Sequence, residues 1–173
     1  MTLDRAYPIG KFQRVDSLSP EQRTAFLAEL AALPAQYVQQ VAALSAEQLA
    51  QPYRVGGWTG VQVVHHVADS HAQALTRVKW TLTEAQPTIK AYDETAWALL
   101  PDYGLPIAPS LQMFEIVVMK FVYLLEQLQP EQWQRSFIHP ENQRSYSLDQ
   151  MLALYTWHAK HHLAHLALLA ELA

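Results

Sequence analysis

Eight histidines stand in a chain that has no cysteine, and four of them crowd into one stretch, WHAKHHLAH, as His158, His161, His162 and His165. Near neutral pH an imidazole moves protons, forms hydrogen bonds and, as the neutral ring, ligates divalent metals. With His158 set to zero on a helix of 3.6 residues per turn, His162 falls near about 40°, His165 near about −20° and His161 near about −60°. All four share one arc, which Leu148, Leu152, Tyr155, Leu166 and Leu169 share or border. Imidazoles on an apolar stripe need partners, because an unpaired buried polar group is unfavourable. A divalent ion satisfies several at once, and two histidines one turn apart on one face can grip the same ion. The spacing offers His158/His162 and His161/His165 as such pairs and does not choose between them. A second stretch, VVHHVADSH, carries His65, His66 and His71, and His66 shares a polar stripe with Ser70, Gln73 and Arg77. A third ligand from here would complete a three-histidine site with open positions, the catalytic arrangement for zinc. The run HAKHH lacks the Glu of H-E-x-x-H, which counts against zincin-type peptide hydrolysis.

Helices must present both stretches. Ser19-Pro20-Glu21-Gln22 is a helix start, and the pattern continues through FLAELAAL and AQYVQQVAAL to about residue 44, with a kink or break expected at Pro34. Ser45 to Gln48 repeats the cap signal over a short turn. After the breaker run QPYRVGGWTG, Thr59 opens a second long helix with Gln62 in the capping-box position. The stretch from Ala85 to Ser110 holds four prolines and little period, with a short helix expected at Asp93–Leu99. Long loops in compact domains are often functional. Ser110 is read as the start of a third helix, FIHPENQRSYS as a small hairpin, and Ser147 as the cap of a last helix that runs to the C-terminus. Four long amphipathic helices without a series of strands predict an all-α, up-down four-helix bundle. A single domain over 1–173 is expected, with a long loop between its second and third helices.

Composition narrows the function. At 173 residues and 50% hydrophobic content the chain can bury a continuous core, and 16% charged residues is too few for a disordered chain. A net charge of −4 gives no basic footprint for nucleic acid. The apolar run IVVMKFVYLL is interrupted by Lys120 and is too short to span a membrane. MTLDRAYPIGKF has no apolar core of a secretory signal, so a cytoplasmic location is expected. The absence of cysteine removes disulfides, thiolate zinc sites and a cysteine nucleophile, and no G-x-G-x-x-G or Walker pattern is present.

Six segments together resemble the DinB/YfiT-like superfamily of metal-binding four-helix bundles, nearest to its YfiT group. They are YPIGKF (7–12), PYRVGGWT (52–59), VVHHVADSH (63–71), LTEAQPTIKAYDETAW (82–97), HPE (139–141) and WHAKHHLAH (157–165). HHVADSH combined with WHAKHHLAH carries the resemblance; HPE alone would mean nothing. The resemblance implies one divalent ion per chain, zinc with nickel as the alternative, held by His66, His158 and His162. It leaves His65, His161 and His165 for supporting or packing roles, and it implies a homodimer. Gly60 stands where a longer residue is usual after GWT, a small change at the helix start.

Resembling proteins include transferases that join low-molecular-weight thiols such as bacillithiol or mycothiol to electrophiles, and others described as metal-dependent hydrolases. The expected partners are therefore a small thiol and an electrophilic substrate. A metal with an open position favours a thiolate, or it lowers the pKa of water toward about 7 for hydrolysis. Hydrolysis also wants a positioned base, for which Asp69 and Glu115 are the candidates. A third reading, metal as a mere helix tie, would need a fourth ligand such as Asp93 or Glu94, since Glu171 falls on the opposite face. Arg77, about 20° from His66 and some three turns along, is a candidate for a substrate carboxylate, against the plainer reading of a solvated arginine. Tyr92, Trp97 and Trp157 are candidate pocket aromatics, against the plainer reading of core residues.

Overall fold

The computed structural model describes residues 4–172, so the first three residues of MTLDRAYPIGKF and the last residue of the expected 1–173 domain lie outside the described residues. Six helices are present among the described residues: α1 (Pro20–Ala42), α2 (Ala46–Leu49), α3 (Gly60–Thr83), α4 (Glu94–Trp97), α5 (Ala108–Glu126) and α6 (Leu148–Leu169). Four of them begin with a reciprocal cap. Ser19, Ser45, Thr59 and Ser147 each accept from the backbone N–H of a glutamine three residues on, whose side chain accepts from the cap backbone in return. α1 continues through Pro34, whose ring is buried. α5 departs from the expected start. It begins two residues before Ser110, with Pro109 in its first turn, and Ile107 precedes it without a side-chain cap. Proline fits a first helical turn because the N–H it lacks has no partner there. The Ser110 hydroxyl is thereby released and meets His65 instead.

The long helices form the expected four-helix bundle, with neighbours α1–α6, α6–α3, α3–α5 and α5–α1. Helices consecutive along the chain, α1/α3 and α5/α6, therefore sit on diagonals. α1 and α6 run parallel: Arg23 meets Asp149 near both helix starts, and Tyr37 reaches the Ala159 carbonyl further along. α3 and α5 are also parallel, because His65 meets Ser110 and His71 packs on Phe114. α3 runs against α6, with Gly60 beside Leu169 at one end and Arg77 bonded to Tyr155 toward the other. The up-down alternation thus holds at the first and last long connections and fails at the middle one. Loop length permits this. α3 has 24 residues, about 36 Å of helix, and loop 84–107 is long enough to travel back along it before α5 begins.

Gly60 explains itself in this packing. A Cβ there would lie 2.6 Å from Leu169 Cδ1 and 3.1 Å from Leu49 Cδ2, so a side chain at this position would have to push the tip of Leu169 aside. The core runs through Leu30, Leu33, Tyr37, Phe114, Phe121, Leu152 and Leu166, all fully buried. The outer face of α5 leaves Ile116, Met119 and Tyr123 exposed. The hairpin pairs β1 (Ser136–His139) with β2 (Arg144–Ser147) in antiparallel register, His139 opposite Arg144. Residues 87–89 of the long loop run beside β1: Ile138 N–H donates to the Pro87 carbonyl at 2.8 Å, and Ile89 N–H to the Ile138 carbonyl at 3.0 Å. This small ribbon fixes the hairpin against one end of the bundle.

The Asp149 carboxylate is fully buried, and the Arg23 fork meets it through Nε at 2.7 Å and Nη2 at 2.9 Å while Gln134 donates to it at 3.1 Å. Arg23→Ala strands that charge and is expected to destabilise the fold by roughly 3 kcal/mol. The urea midpoint checks this; an unshifted midpoint would show the pair to be dispensable.

Candidate metal centre

α3 presents His66 and α6 presents His158 and His162 on facing surfaces. One nitrogen from each of the three rings lies within 4.8 Å of the others. His66 Nε2 and His158 Nε2 are 3.2 Å apart. Two nitrogens gripping one zinc at about 2.05 Å in a tetrahedron stand about 3.3 Å apart, so this spacing fits a shared ion. The Nδ1 atoms of His66 and His158 are buried without a hydrogen-bond partner. The facing nitrogens of the three imidazoles are close enough to hold one divalent ion.

Electrostatics prepares the same chemistry. Burial pushes the His66 pKa down to about 3, with His71 and His161 adding smaller repulsions. Burial likewise holds His158 and His162 well below the ordinary histidine range, reinforced by their neighbouring imidazoles. Neutral rings are the ligating form, so at neutral pH an ion displaces no proton from them.

The other histidines have different work. His65 is tied down on both nitrogens: Nε2–H donates to the Leu105 carbonyl at 3.2 Å, and Ser110 Oγ donates to Nδ1 at 2.7 Å. His71 is fully buried, donates from Nδ1 to the Val67 carbonyl, and has a pKa pushed down to about 4 by burial. His165 places Nδ1 3.3 Å from Nδ1 of His162 and stacks on Tyr53, so it supports a ligand from behind. His161 stacks on Trp157 at 4.7 Å. Trp58 covers His66 and His162, with ring centroids at 4.5 and 6.1 Å.

A cavity of about 480 Å³ opens beside the three imidazoles. Arg77, Tyr92 and Trp157 line it as expected of pocket residues, whereas Trp97 does not reach it and packs on Tyr92 at 4.4 Å instead. Arg77 is buried rather than solvated. The proposed bases fall away from the cavity. Asp69 accepts from the Tyr103 hydroxyl at 2.9 Å, its pKa raised by burial, and Glu115 is exposed on α5 facing α1. Of the suggested fourth ligands, Asp93 caps α4 and Glu94 lines the cavity wall without joining the donor cluster. Glu171 pairs with Arg5. Sequence reasoning missed Trp58, His139, Glu141 and Tyr155 as cavity residues. Tyr155 precedes His158 by one helical turn, which is a usable signal. The hairpin residues had none, because their place depends on the ribbon with residues 87–89.

Known proteins share this arrangement of helices. A profile of the DinB superfamily matches residues 29–166. A Bacillus mycoides protein named "Putative metal-dependent hydrolase" is 42% identical over 168 residues, covering 97% of this chain and 96% of that one. An Oceanobacillus iheyensis protein of the same name is 42% identical over 169 residues, covering 98% of each. The structure of YfiT from Bacillus subtilis, described as a probable metal-dependent hydrolase with an unusual four-helix bundle topology, superposes with a TM-score of 0.94 at 39% identity, covering 97% of each chain. A mycothiol-dependent maleylpyruvate isomerase shares the fold at a TM-score of 0.66 and 14% identity, over 83% of this chain and 60% of that one.

Alanine at His66, His158 or His162 is expected to reduce stoichiometric metal to a trace after dialysis, while His161→Ala keeps it; elemental analysis of the purified variants decides. Chelation should lower the melting temperature by on the order of 10 °C, because the ion binds only the folded chain. The metal-free protein should also weaken in mild acid. Burial pushes the His66 and His71 pKa values down to about 3 and about 4 in the folded chain, against an ordinary 6.5 when unfolded. Below about pH 6.5 the unfolded chain alone takes the protons, so stability falls with pH by about 1.4 kcal/mol per unit for each such ring. Urea midpoints in chelator at pH about 7.5 and 5.5 measure the effect; equal midpoints would refute neutral burial.

Proposed function

The chain belongs to the DinB superfamily, and from that premise we propose that it joins a small external thiol to an electrophilic carbon, with one zinc ion held by His66, His158 and His162. The observation that carries this reading is the donor set: among the described residues the cluster contains three neutral imidazoles and no carboxylate. Such a set leaves the charge of a divalent ion uncompensated inside an aromatic-walled cavity, which suits an anionic sulfur. When bound, the ion would supply Lewis acidity that favours the anionic form of a nucleophile docked against it. Nickel is the alternative metal.

The chain's own residues do the rest. Trp58 packs over His66 and His162, and Trp157 lines the same cavity. His165 holds His162 from behind and His66 faces it across the gap, so the donors are set before a ligand arrives. The chain has no cysteine, so the sulfur comes from the cosubstrate. The sulfur forms a bond to carbon, the leaving group departs with the electron pair of the bond it breaks, and the thiol proton passes to solvent through the open cavity. One observation favours hydrolysis instead: His139, Glu94 and Glu141 line the same cavity and could activate water.

Zinc-loaded protein mixed with cysteine or another physiological thiol and a chloronitroarene is expected to form the thioether faster than the uncatalysed rate at pH 7, and chelation is expected to abolish the gain. No thioether above background with any thiol, together with metal-dependent cleavage of an ester or amide, would replace transfer with hydrolysis.

A further inference from the structure

Two arginines in this fold are largely buried, and they differ in one respect. Arg23 fills its Nε/Nη2 edge with the carboxylate of Asp149. Arg77, 8% exposed, meets no carboxylate on that edge. Its Nη1 donates to the Tyr155 hydroxyl at 3.0 Å, its Nη2 makes only a 3.5 Å contact to the Lys90 carbonyl, and its buried Nε has no partner. The ion pairs formed among the described residues are Arg5–Glu171, Arg23–Asp149 and Lys160–Glu29, so no carboxylate lies within pairing distance of Arg77. Glu94 and Glu141, which also line the cavity, are exposed.

A guanidinium cannot shed its proton to escape burial, as a lysine can. A buried charge without a counter-charge is costly and is normally paired. Arg77 lines the cavity that the three imidazoles also line. A helical side chain leans toward the N-terminus of its own helix, which tips Arg77 toward His66. Tyr155 fixes Nη1, so the guanidinium is held in place before any ligand enters.

We propose that the guanidinium of Arg77 is the anchor for a carboxylate on one of the two reactants, while the reacting atom of that molecule lies at the three imidazoles. This rests on reading the cavity as the substrate site, but not on which bond is made there. It limits the substrates to small molecules with a carboxylate remote from the reacting atom. The carboxylate belongs either to the thiol or to the electrophile, and the two sources are separable.

The test compares acids with their methyl esters on zinc-loaded full-length protein by calorimetry. One pair is 4-chloro-3,5-dinitrobenzoate and its methyl ester; the other is 3-mercaptopropanoate and its methyl ester. In the wild type, one pair should favour the acid by about tenfold or more, the scale of a charge-assisted fork. Arg77→Gln should erase that preference, and Arg77→Lys should restore only part of it. Because the readout is a ratio within one variant, a general loosening of the cavity does not imitate it. A measurement on the unaltered chain stands beside it: the Nε–H resonance of Arg77 should shift on adding the favoured acid and stay in place with its ester. No acid preference in either pair, a preference that survives Arg77→Gln because the ion alone holds the carboxylate, or an unmoved Nε–H resonance would overturn the proposal. A failure of thiol transfer would leave these binding ratios intact, so the two readings fail separately.

Discussion

Keeping several imidazoles uncharged and close together in an apolar interior is the constraint on which the site depends. His66 and His158 approach to 3.2 Å across two helices, an arrangement that would repel if both rings were protonated. Burial removes that outcome by holding the rings neutral near physiological pH. The packing that enforces burial comes from every side of α6. Tyr37 of α1 donates to the Ala159 carbonyl at 2.7 Å, between the two ligands of α6, and Trp58 covers the rings from the loop before α3. At the far end of the pair, Gly60 at the start of α3 packs against Leu169 at the end of α6. Site and core are therefore one packing problem.

Local signals were readable in the sequence, and non-local ones were not. Four capping boxes lie within three residues each, so Ser19, Ser45, Thr59 and Ser147 announced their helices correctly. Ser110 misled because its hydroxyl answers to His65, 45 positions away, while Pro109 sets the first turn of α5. The common arc of the α6 histidines was a matter of helical period alone. The choice of His158 and His162 over His161 and His165 depended on which faces α3 and α6 turn toward each other. Periodicity cannot supply that, and family resemblance did. The parallel course of α3 and α5 was hidden for the same reason, since loop 84–107 permits either direction and only the paired faces decide.

The names carried by the relatives and the chemistry of the donor set constrain function at different depths. Forty-two per cent identity across nearly the whole chain makes the bundle and its metal-dependent character a family property. Transfer and hydrolysis differ in their need for smaller features, such as the carboxylates of Glu94 and Glu141 at the cavity rim. Those features sit on a hairpin and a loop that vary more easily than helices do. One scaffold can therefore serve several reactions while its metal-binding frame stays fixed.

The order of the helices has a consequence for biosynthesis. α1 makes its buried ion pair with α6 across 126 positions of sequence, and the nearest imidazoles are 92 positions apart. Contacts so distant along the chain cannot form until the last helix has left the ribosome, and they close slowly because a long loop must be ordered first. A growing chain that has emerged only as far as α5 displays His66 but neither of its two partners, and it exposes the α1 and α3 faces that α6 will cover. Assembly of the three imidazoles therefore waits for α6, and until that helix docks the chain most needs protection from its own apolar surfaces.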